Sequence, residues 1–388
     1  MVTVQINEPF SIPSIFRLRC TSNAFDPANP VLAEVLRADS GKARAVFFVD
    51  DGLVAAQPSL LPVIEAWAKA NTAWLTLPIA PVLVPGGEIA KNDRSVVEAA
   101  IAAIDRARLC RWSYVIVIGG GAVLDVVGFA AAIAHRGVRL VRLPSTTLSQ
   151  GDSGVGVKNG VNAFGRKNYL GCFAVPHAVI NDAELLTSLS DRDWRCGFSE
   201  AVKVGIVKDA ALFERIEANA AQIAQRQPDP SLEIINASAL LHLRHITQGG
   251  DPFEATSLRP LDFGHWSAHR METLSEYAIR HGEAVAIGIA IDVLYAARIG
   301  TLDGTSSDRV VRCLETLGFS LAHPLLANGD EILDGLEEFR EHLGGPLTIS
   351  LPARIGHCIG VHEIDTNAMH AVFAALLERT PVTQETPR

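Results

Sequence analysis

WSYVIVIGGGAVLDVVGFAAAIAHRG, residues 112–137, is a strand that turns through three consecutive glycines into a helix. Tyr114 to Ile118 form the apolar strand. Gly119, Gly120 and Gly121 let backbone amides approach a pyrophosphate closely, and a helix N-terminus favours negative charge there. The spacing is not GxGxxG, so an ordinary two-domain dehydrogenase is not indicated, and a glycine turn of this kind also occurs without a ligand. Upstream, KARAVFFVDDG (42–52) is a continuous apolar run ending in Asp50, as buried parallel strands do. Asp50 stands where a ribose-binding carboxylate would, and equally where a helix-capping or turn Asp would. Strands are predicted over 12–20 and 43–50, a helix over 61–72 and a strand in TAWLTL (72–77). A strand–turn–helix with Gly86-Gly87 in the turn follows, its helix capped by Asn92 or Asp93. This alternation predicts a parallel α/β sheet.

Residues 138–173, VRLVRLPSTTLSQGDSGVGVKNGVNAFGRKNYLGCF, lead from a strand into a long polar, glycine-rich run holding Asp152, Lys158, Lys167 and Asn168. A loop this long inside a compact domain is often functional. Lysines beside glycines and an asparagine suit a phosphate-bearing substrate. The alternative is a solvated surface hairpin. From about residue 185 the pattern turns helical, with a short strand pair at LTISLPARIG and a frayed tail, PVTQETPR.

In that half, LDFGHWSAHRMETLSEYAIRHGEAVAIGIA (261–290) carries His265 and His269 four apart, so both project from one helix face. His281 follows at the start of a second apolar segment, and Glu200 lies upstream in GFSEAVKVGI. One carboxylate plus two imidazoles, with a position left open, is a ligand set for a catalytic divalent cation such as zinc. The plainer reading is core or capping histidines.

The chain has 388 residues, 48% of them hydrophobic and 20% charged, the composition of a soluble globular protein with room for two domains. A net charge of −9 argues against a nucleic-acid surface while allowing a local basic pocket for a small anion. Six scattered cysteines without a CxxC point to reduced thiols and not to a disulfide framework. Neither a secretory leader nor an apolar run long enough to span a bilayer is visible, so a cytoplasmic location is expected.

Five blocks in order, GGGAVLDVVGFAAAIAHRGVRLVRLPSTTLSQGDSGVGVK, GRKNYLG, GFSEAVKVGIVKD, LDFGHWSAH and HGEAV, resemble the sugar phosphate cyclases, whose best-known member is 3-dehydroquinate synthase. The resemblance runs from about Asp50 to Val361. It implies an α/β fold with a Rossmann-like N-terminal nucleotide-binding domain, set here at 1–184, and a mainly α-helical metal- and substrate-binding domain, 185–388. It also implies bound NAD, a divalent metal (zinc or cobalt) and a homodimer. Block by block, Glu200, His265 and His281 match the metal ligands, and His269 matches a substrate-side histidine. Asp50, Glu88, Lys91, Gly120, Gly121, Ala122, Asp125, Thr146, Thr147, Leu148 and Ser188 match NAD-contacting positions, with Lys167 beside the cofactor. Asp152, Lys158, Asn168 and Lys203 match the substrate pocket. Arg136 matches an arginine that reaches the neighbouring subunit's site. The implied reaction is a transient oxidation, phosphate elimination, reduction and intramolecular aldol closure, with no net redox change.

Departures from the dehydroquinate synthase pattern bear on the substrate. Asp262 replaces an asparagine, Trp266 a small hydroxyl residue and Pro346 a lysine. The pocket is thereby less cationic by about two charges, which suits a substrate with phosphate but no carboxylate. GDSGVGVKNGVN, GGDPFE, RPLDFGHWSAH and VHEID resemble the 2-epi-5-epi-valiolone synthase branch, whose substrate is sedoheptulose 7-phosphate, and equally a bacterial branch of ebo-type gene clusters. Arg259, one residue out of step with the family's arginine, and Arg244 leave room for a carboxylated substrate. A metal-dependent polyol dehydrogenase is the reading of another class, opposed by the lysine-bearing 152–168 segment. A non-catalytic binding protein is opposed by the joint presence of the acid, both metal histidines and the glycine turn.

Overall fold

The structure is a computed structural model that describes residues 5–37, 41–253, 259–343 and 346–379. Its N-terminal half holds strands β1 (Leu18–Thr21), β2 (Ala43–Asp50), β3 (Leu75–Thr76), β4 (Val82–Val84), β5 (Tyr114–Gly119) and β6 (Arg139–Pro144). A hairpin, β7 (Lys158–Ala163) and β8 (Arg166–Phe173), precedes β9 (Ala178–Asp182). The sheet runs β1-β9-β6-β5-β2-β3, with β4 also on β2, and its pairings are parallel. Helices α1 (Val31–Val35), α2 (Asp51–Ala56), α3 (Leu60–Ala70), α4 (Arg94–Arg106), α5 (Gly121–Ile133) and α6 (Thr147–Gly151) accompany it. Successive strand residues face opposite sides. Phe47 and Ile116 therefore join one core with Phe25 and Trp67, while Phe48 and Val117 join another with Val97 and Val127.

The second half is helical: α7 (Asp191–Lys208), α8 (Ala210–Ala224), α9 (Pro228–Gln248), α10 (His265–Leu274), α11 (His281–Arg298), α12 (Gly304–Thr316), α13 (Gly329–Leu343) and α14 (Thr366–Leu377). The β10 (Ile349–Arg354) and β11 (His357–Val361) hairpin packs among them. Its separate core runs from Leu186 to Leu376 and includes Phe198, Trp266 and Phe373. Among the described residues no helix is long and apolar enough to cross a membrane.

Several expectations need correction. The first strand covers only Leu18–Thr21, because residues 5–17 pair with nothing regular and leave Phe10, Ile12 and Ile15 exposed. Of the two expected caps for α4, Asp93 is the one used, accepting from the Ser95 amide at 2.9 Å. The 138–173 segment is not a loop: after β6 it forms α6, a 3-10 turn and the β7–β8 hairpin. Only β8 alternates toward solvent, whereas β7 is buried against α5, so it is not a solvated hairpin either. Helix α13 was not anticipated. The tail 381–388, Glu254 of GGDPFE and the Gly344-Gly345 pair lie outside the described residues.

Candidate active site

Three helices bring the metal-type residues together. α7 carries Glu200 and Lys203, α10 opens on His265 and α11 opens on His281. The chain enters α10 through Gly264 at φ 76°, a conformation that favours glycine. A Cβ on Gly282 of α11 would collide with the Cys196 backbone of α7. That missing side chain lets α11 press on α7 and sets the distance from His281 to Glu200. Gly282→Ala should therefore destabilise the fold by about 1–3 kcal/mol through overpacking. A thermal melt unchanged from the parent's would show that the helices can part without cost.

Glu200 Oε1 lies 3.4 Å from His265 Nε2 and 3.2 Å from His281 Nε2. His265 Nδ1 faces the Phe263 carbonyl at 3.0 Å, and His281 Nδ1 faces Glu272 Oε2 at 3.1 Å. Lys167 and His281 hold the Glu272 carboxyl, despite its burial, well below the usual carboxylate range, so neither acceptor has a proton to give. Each Nδ1 thus donates, and each ring turns its Nε2 toward Glu200; Glu272 and Glu200, against burial, push the His281 imidazole up to about 9. Two ring nitrogens and a carboxylate oxygen that lie within 4.8 Å of one another can take a cation between them. A tetrahedral ion with ligands at about 2.0–2.2 Å has edges of about 3.3–3.6 Å, which the two separations approach. Two imidazoles and one carboxylate leave a position open, as catalytic zinc sites do. The donor set fits a divalent metal.

His269 stands outside this set. It is exposed, and its ring stacks on that of His281 with centroids 5.9 Å apart. Spacing alone, which pairs His265 with His269, misses that His281 arrives on a second helix.

A line of alternating charge leaves the triad. Glu200 Oε2 lies 2.5 Å from Lys203 Nζ, which lies 3.5 Å from Asp152 Oδ2, while Asp152 Oδ1 lies 3.0 Å from His242 Nδ1. Burial opposes charge on Glu200, Asp152 and Lys203. Lys203 and the histidines outweigh it at Glu200 and hold that carboxyl well below the usual range. Lys203 and His242 bring Asp152 to about 2. Glu200 and Asp152 push the Lys203 ammonium up, and Asp262 adds to their field.

On the sheet side, Asp50 caps α2 through the Gly52 and Leu53 amides and also accepts from Gly120 at 3.3 Å. It therefore ties the first strand–helix turn to the glycine turn that opens α5, and both readings of Asp50 remain compatible with that position. Lys91 pairs with Asp125 of α5 at 2.7 Å, and Glu88 lies 4.0 Å from both Lys91 and Lys167.

Models of the 3-dehydroquinate synthase N-terminal and C-terminal regions match residues 81–196 and 197–337. A 2-epi-5-epi-valiolone synthase of Streptomyces glaucescens is 31% identical over 369 residues, 93% of this chain and 90% of the relative. A 3-dehydroquinate synthase of Pseudomonas putida is 28% identical over 362 residues, 88% of this chain and 97% of the relative. The chain belongs to the sugar phosphate cyclases of the 3-dehydroquinate synthase type. A solved 2-epi-5-epi-valiolone synthase from Streptomyces hygroscopicus subsp. jinggangensis, with NAD+ and Zn2+ bound, has the same fold. Its TM-score is 0.86 at 26% identity, over 97% of this chain and 100% of its own.

In this cyclase the residues matched to family positions do not all gather. Glu200, His265, His281, Lys203 and Asp152 do, as do Glu88, Lys91, Asp125 and Lys167. Gly121 and Ala122 form the first turn of α5, and Thr146 caps α6. Leu148 is half-buried on α6. Thr147 is fully buried, and its hydroxyl donates to the Trp194 carbonyl at 2.7 Å and accepts from the Gly197 amide at 3.2 Å, joining α6 to α7. Ser188 lies half-buried in the turn before α7. Arg136 is exposed beyond the far end of α5, away from its own chain's site. Lys158 and Asn168 are exposed on the hairpin, Asn168 at φ 52° with its amide on the Asn162 side chain. Arg259 has a buried Nε without a hydrogen bond among the described residues, Arg244 is exposed, and Pro346 is exposed before β10.

Trp266 faces the core, not the pocket. Its indole N–H donates to Asp292 Oδ1 at 2.9 Å, and the Gly264 amide donates to Asp292 Oδ2 at 2.9 Å. Burial pushes Asp292 up to about 7 against those two bonds. Asp292, His242, Glu272 and Arg142 carry no signal in the sequence. Each sits in an ordinary apolar-periodic element, and only tertiary contacts single it out.

Proposed function

We propose that this cyclase converts a heptulose 7-phosphate, sedoheptulose 7-phosphate in the first instance, to a C7 cyclitol with release of phosphate, using NAD and a divalent metal. The observation that carries the substrate choice is the setting of Lys203: three carboxylates, Glu200, Asp152 and Asp262, act on this one buried ammonium. A cation so fully compensated has little left for a substrate carboxylate. Bound NAD would supply a reversible hydride acceptor and the metal a Lewis acid toward a substrate hydroxyl. Glu200, His265 and His281 hold the metal. The N-terminal turn of α5 and the Glu88–Lys91–Asp125 cluster hold the dinucleotide, its phosphates on the free amides. Lys158, Asn168 and Arg259 position the phosphate and hydroxyls, and His269 faces the substrate across the stacked His281. We place the division between the cofactor-binding and metal-binding lobes at residues 184 and 185, and assign Arg136 to the site of a second subunit in a homodimer.

The test offers sedoheptulose 7-phosphate and 3-deoxy-arabino-heptulosonate 7-phosphate in parallel, with NAD and zinc or cobalt, and follows phosphate. Release from the first substrate without NADH accumulating is the expected result. Release from the carboxylated sugar alone would establish a 3-dehydroquinate synthase, the second reading, which the unsatisfied Arg259 Nε favours. Net NADH formation from a polyol would mark a metal-dependent dehydrogenase instead.

A further inference from the structure

We propose that Glu272 couples metal binding to cofactor binding. The proposal rests on the reading that this chain binds both. Glu272 lies on α10, 3% exposed, and its two oxygens serve different halves of the molecule. Oε2 accepts from His281 Nδ1 at 3.1 Å, and Oε1 accepts from Lys167 Nζ at 2.8 Å. Lys167 belongs to the β7–β8 hairpin, whose inner strand packs on α5. From Lys167 the chain of charge continues through Glu88 and Lys91, at 4.0 Å each, to Asp125 on the second turn of α5, 2.7 Å from Lys91. An unbroken series of ionic contacts therefore joins the metal-type histidine to the helix that opens at the glycine turn.

The carboxylate acts in two ways. It fixes His281 in the tautomer that turns Nε2 toward Glu200, the usual task of a carboxylate behind a metal-bound histidine. A cation on Nε2 also makes the Nδ1–H a stronger donor and so holds Oε2 in place. A planar carboxylate held at one oxygen presents the other in one direction, which fixes Lys167 and the hairpin against the cofactor side. Two ligands that favour one arrangement of a shared element bind more tightly together, each by the same factor.

Both dissociation constants are needed, NAD by calorimetry on the chelator-treated and zinc-loaded protein, and zinc by competition with a chromophoric chelator, with and without NAD. In the wild type, zinc should tighten NAD by a factor in the range of about 5–150, and NAD should tighten zinc by the same factor. Glu272→Gln offers one acceptor where two are used. It should weaken zinc by about 10–100-fold and bring the coupling factor toward one. Lys167→Met, at a residue about one-fifth exposed, leaves the Glu272–His281 bond in place. It should keep zinc affinity without NAD within about threefold of wild type, far less than the loss typical of a severed histidine–carboxylate bond, yet also bring the factor toward one. A factor of one in wild type that binds both ligands, or an undiminished factor in both variants, overturns the coupling alone. A wild type that binds neither ligand overturns the cyclase reading and the coupling with it.

Discussion

Replacing His265 by alanine should abolish phosphate release and metal binding together, while NAD still binds. His265 is the first residue of α10, its Nδ1 is held by the Phe263 carbonyl, and its Nε2 is one of three donors that meet at Glu200. With it gone, His281 and Glu200 remain, and a two-ligand site loses more affinity than the roughly 10–100-fold of an outer-shell change. The glycine turn and the Glu88–Lys91–Asp125 cluster belong to the other half of the chain and do not touch His265, so dinucleotide binding should survive apart from any coupled share. The check is zinc content after gel filtration, NAD affinity by calorimetry and phosphate release. Chelator treatment of the wild type should reproduce the loss, and added zinc or cobalt should reverse it in the wild type but not in the variant. Turnover within threefold of wild type in His265→Ala would remove the metal from the mechanism.

The parts legible in the sequence share one property: their signal is local. The run Tyr114–Ile118 with its glycine turn, the apolar β2 ending in Asp50 and the α7 and α11 patterns each fall within a short window, and each formed as expected. The five blocks located Glu200, His265 and His281, which the structure unites from three helices. The polar character of 138–173 misled because its polar groups are satisfied internally, on β7 and by Arg142, instead of by water. Thr147 matches a cofactor-contacting position in its block, and only the structure shows that its hydroxyl ties α6 to the Trp194 carbonyl. Trp266 reads as a change in the pocket because it follows the metal histidine. On a helix, however, a neighbour one residue on points about 100° away, here into the core toward Asp292. Spacing reports which residues share a face, and only packing reports what that face meets.

The segment that carries Asp152 and Lys158 should depend on Arg142 for its shape, and replacing Arg142 by alanine should damage stability and turnover together. Arg142 is fully buried on β6, and among the described residues none of its hydrogen bonds goes to a carboxylate. It donates instead to the carbonyls of Gly154 (3.2 Å), Gly156 (2.9 Å) and Lys158 (2.9 Å) and to Asn159 Oδ1 (2.7 Å). One planar fork thus satisfies four acceptors along six residues of chain, a geometry a lysine cannot copy. Removing it orphans buried acceptors at about 1–3 kcal/mol each where water does not replace the donor. A net loss of about 3–5 kcal/mol is expected, as for other broken buried charged networks. A misplacement of Asp152 or Lys158 by about 1 Å should cost about 100-fold in turnover. Guanidinium added at low concentration to Arg142→Ala should restore part of the activity by refilling the cavity, whereas Arg142→Lys should remain impaired. A variant that melts with the parent and keeps kcat/KM within threefold would show that the 154–159 segment holds its shape without the fork, and that the buried arginine serves neither the fold nor the site.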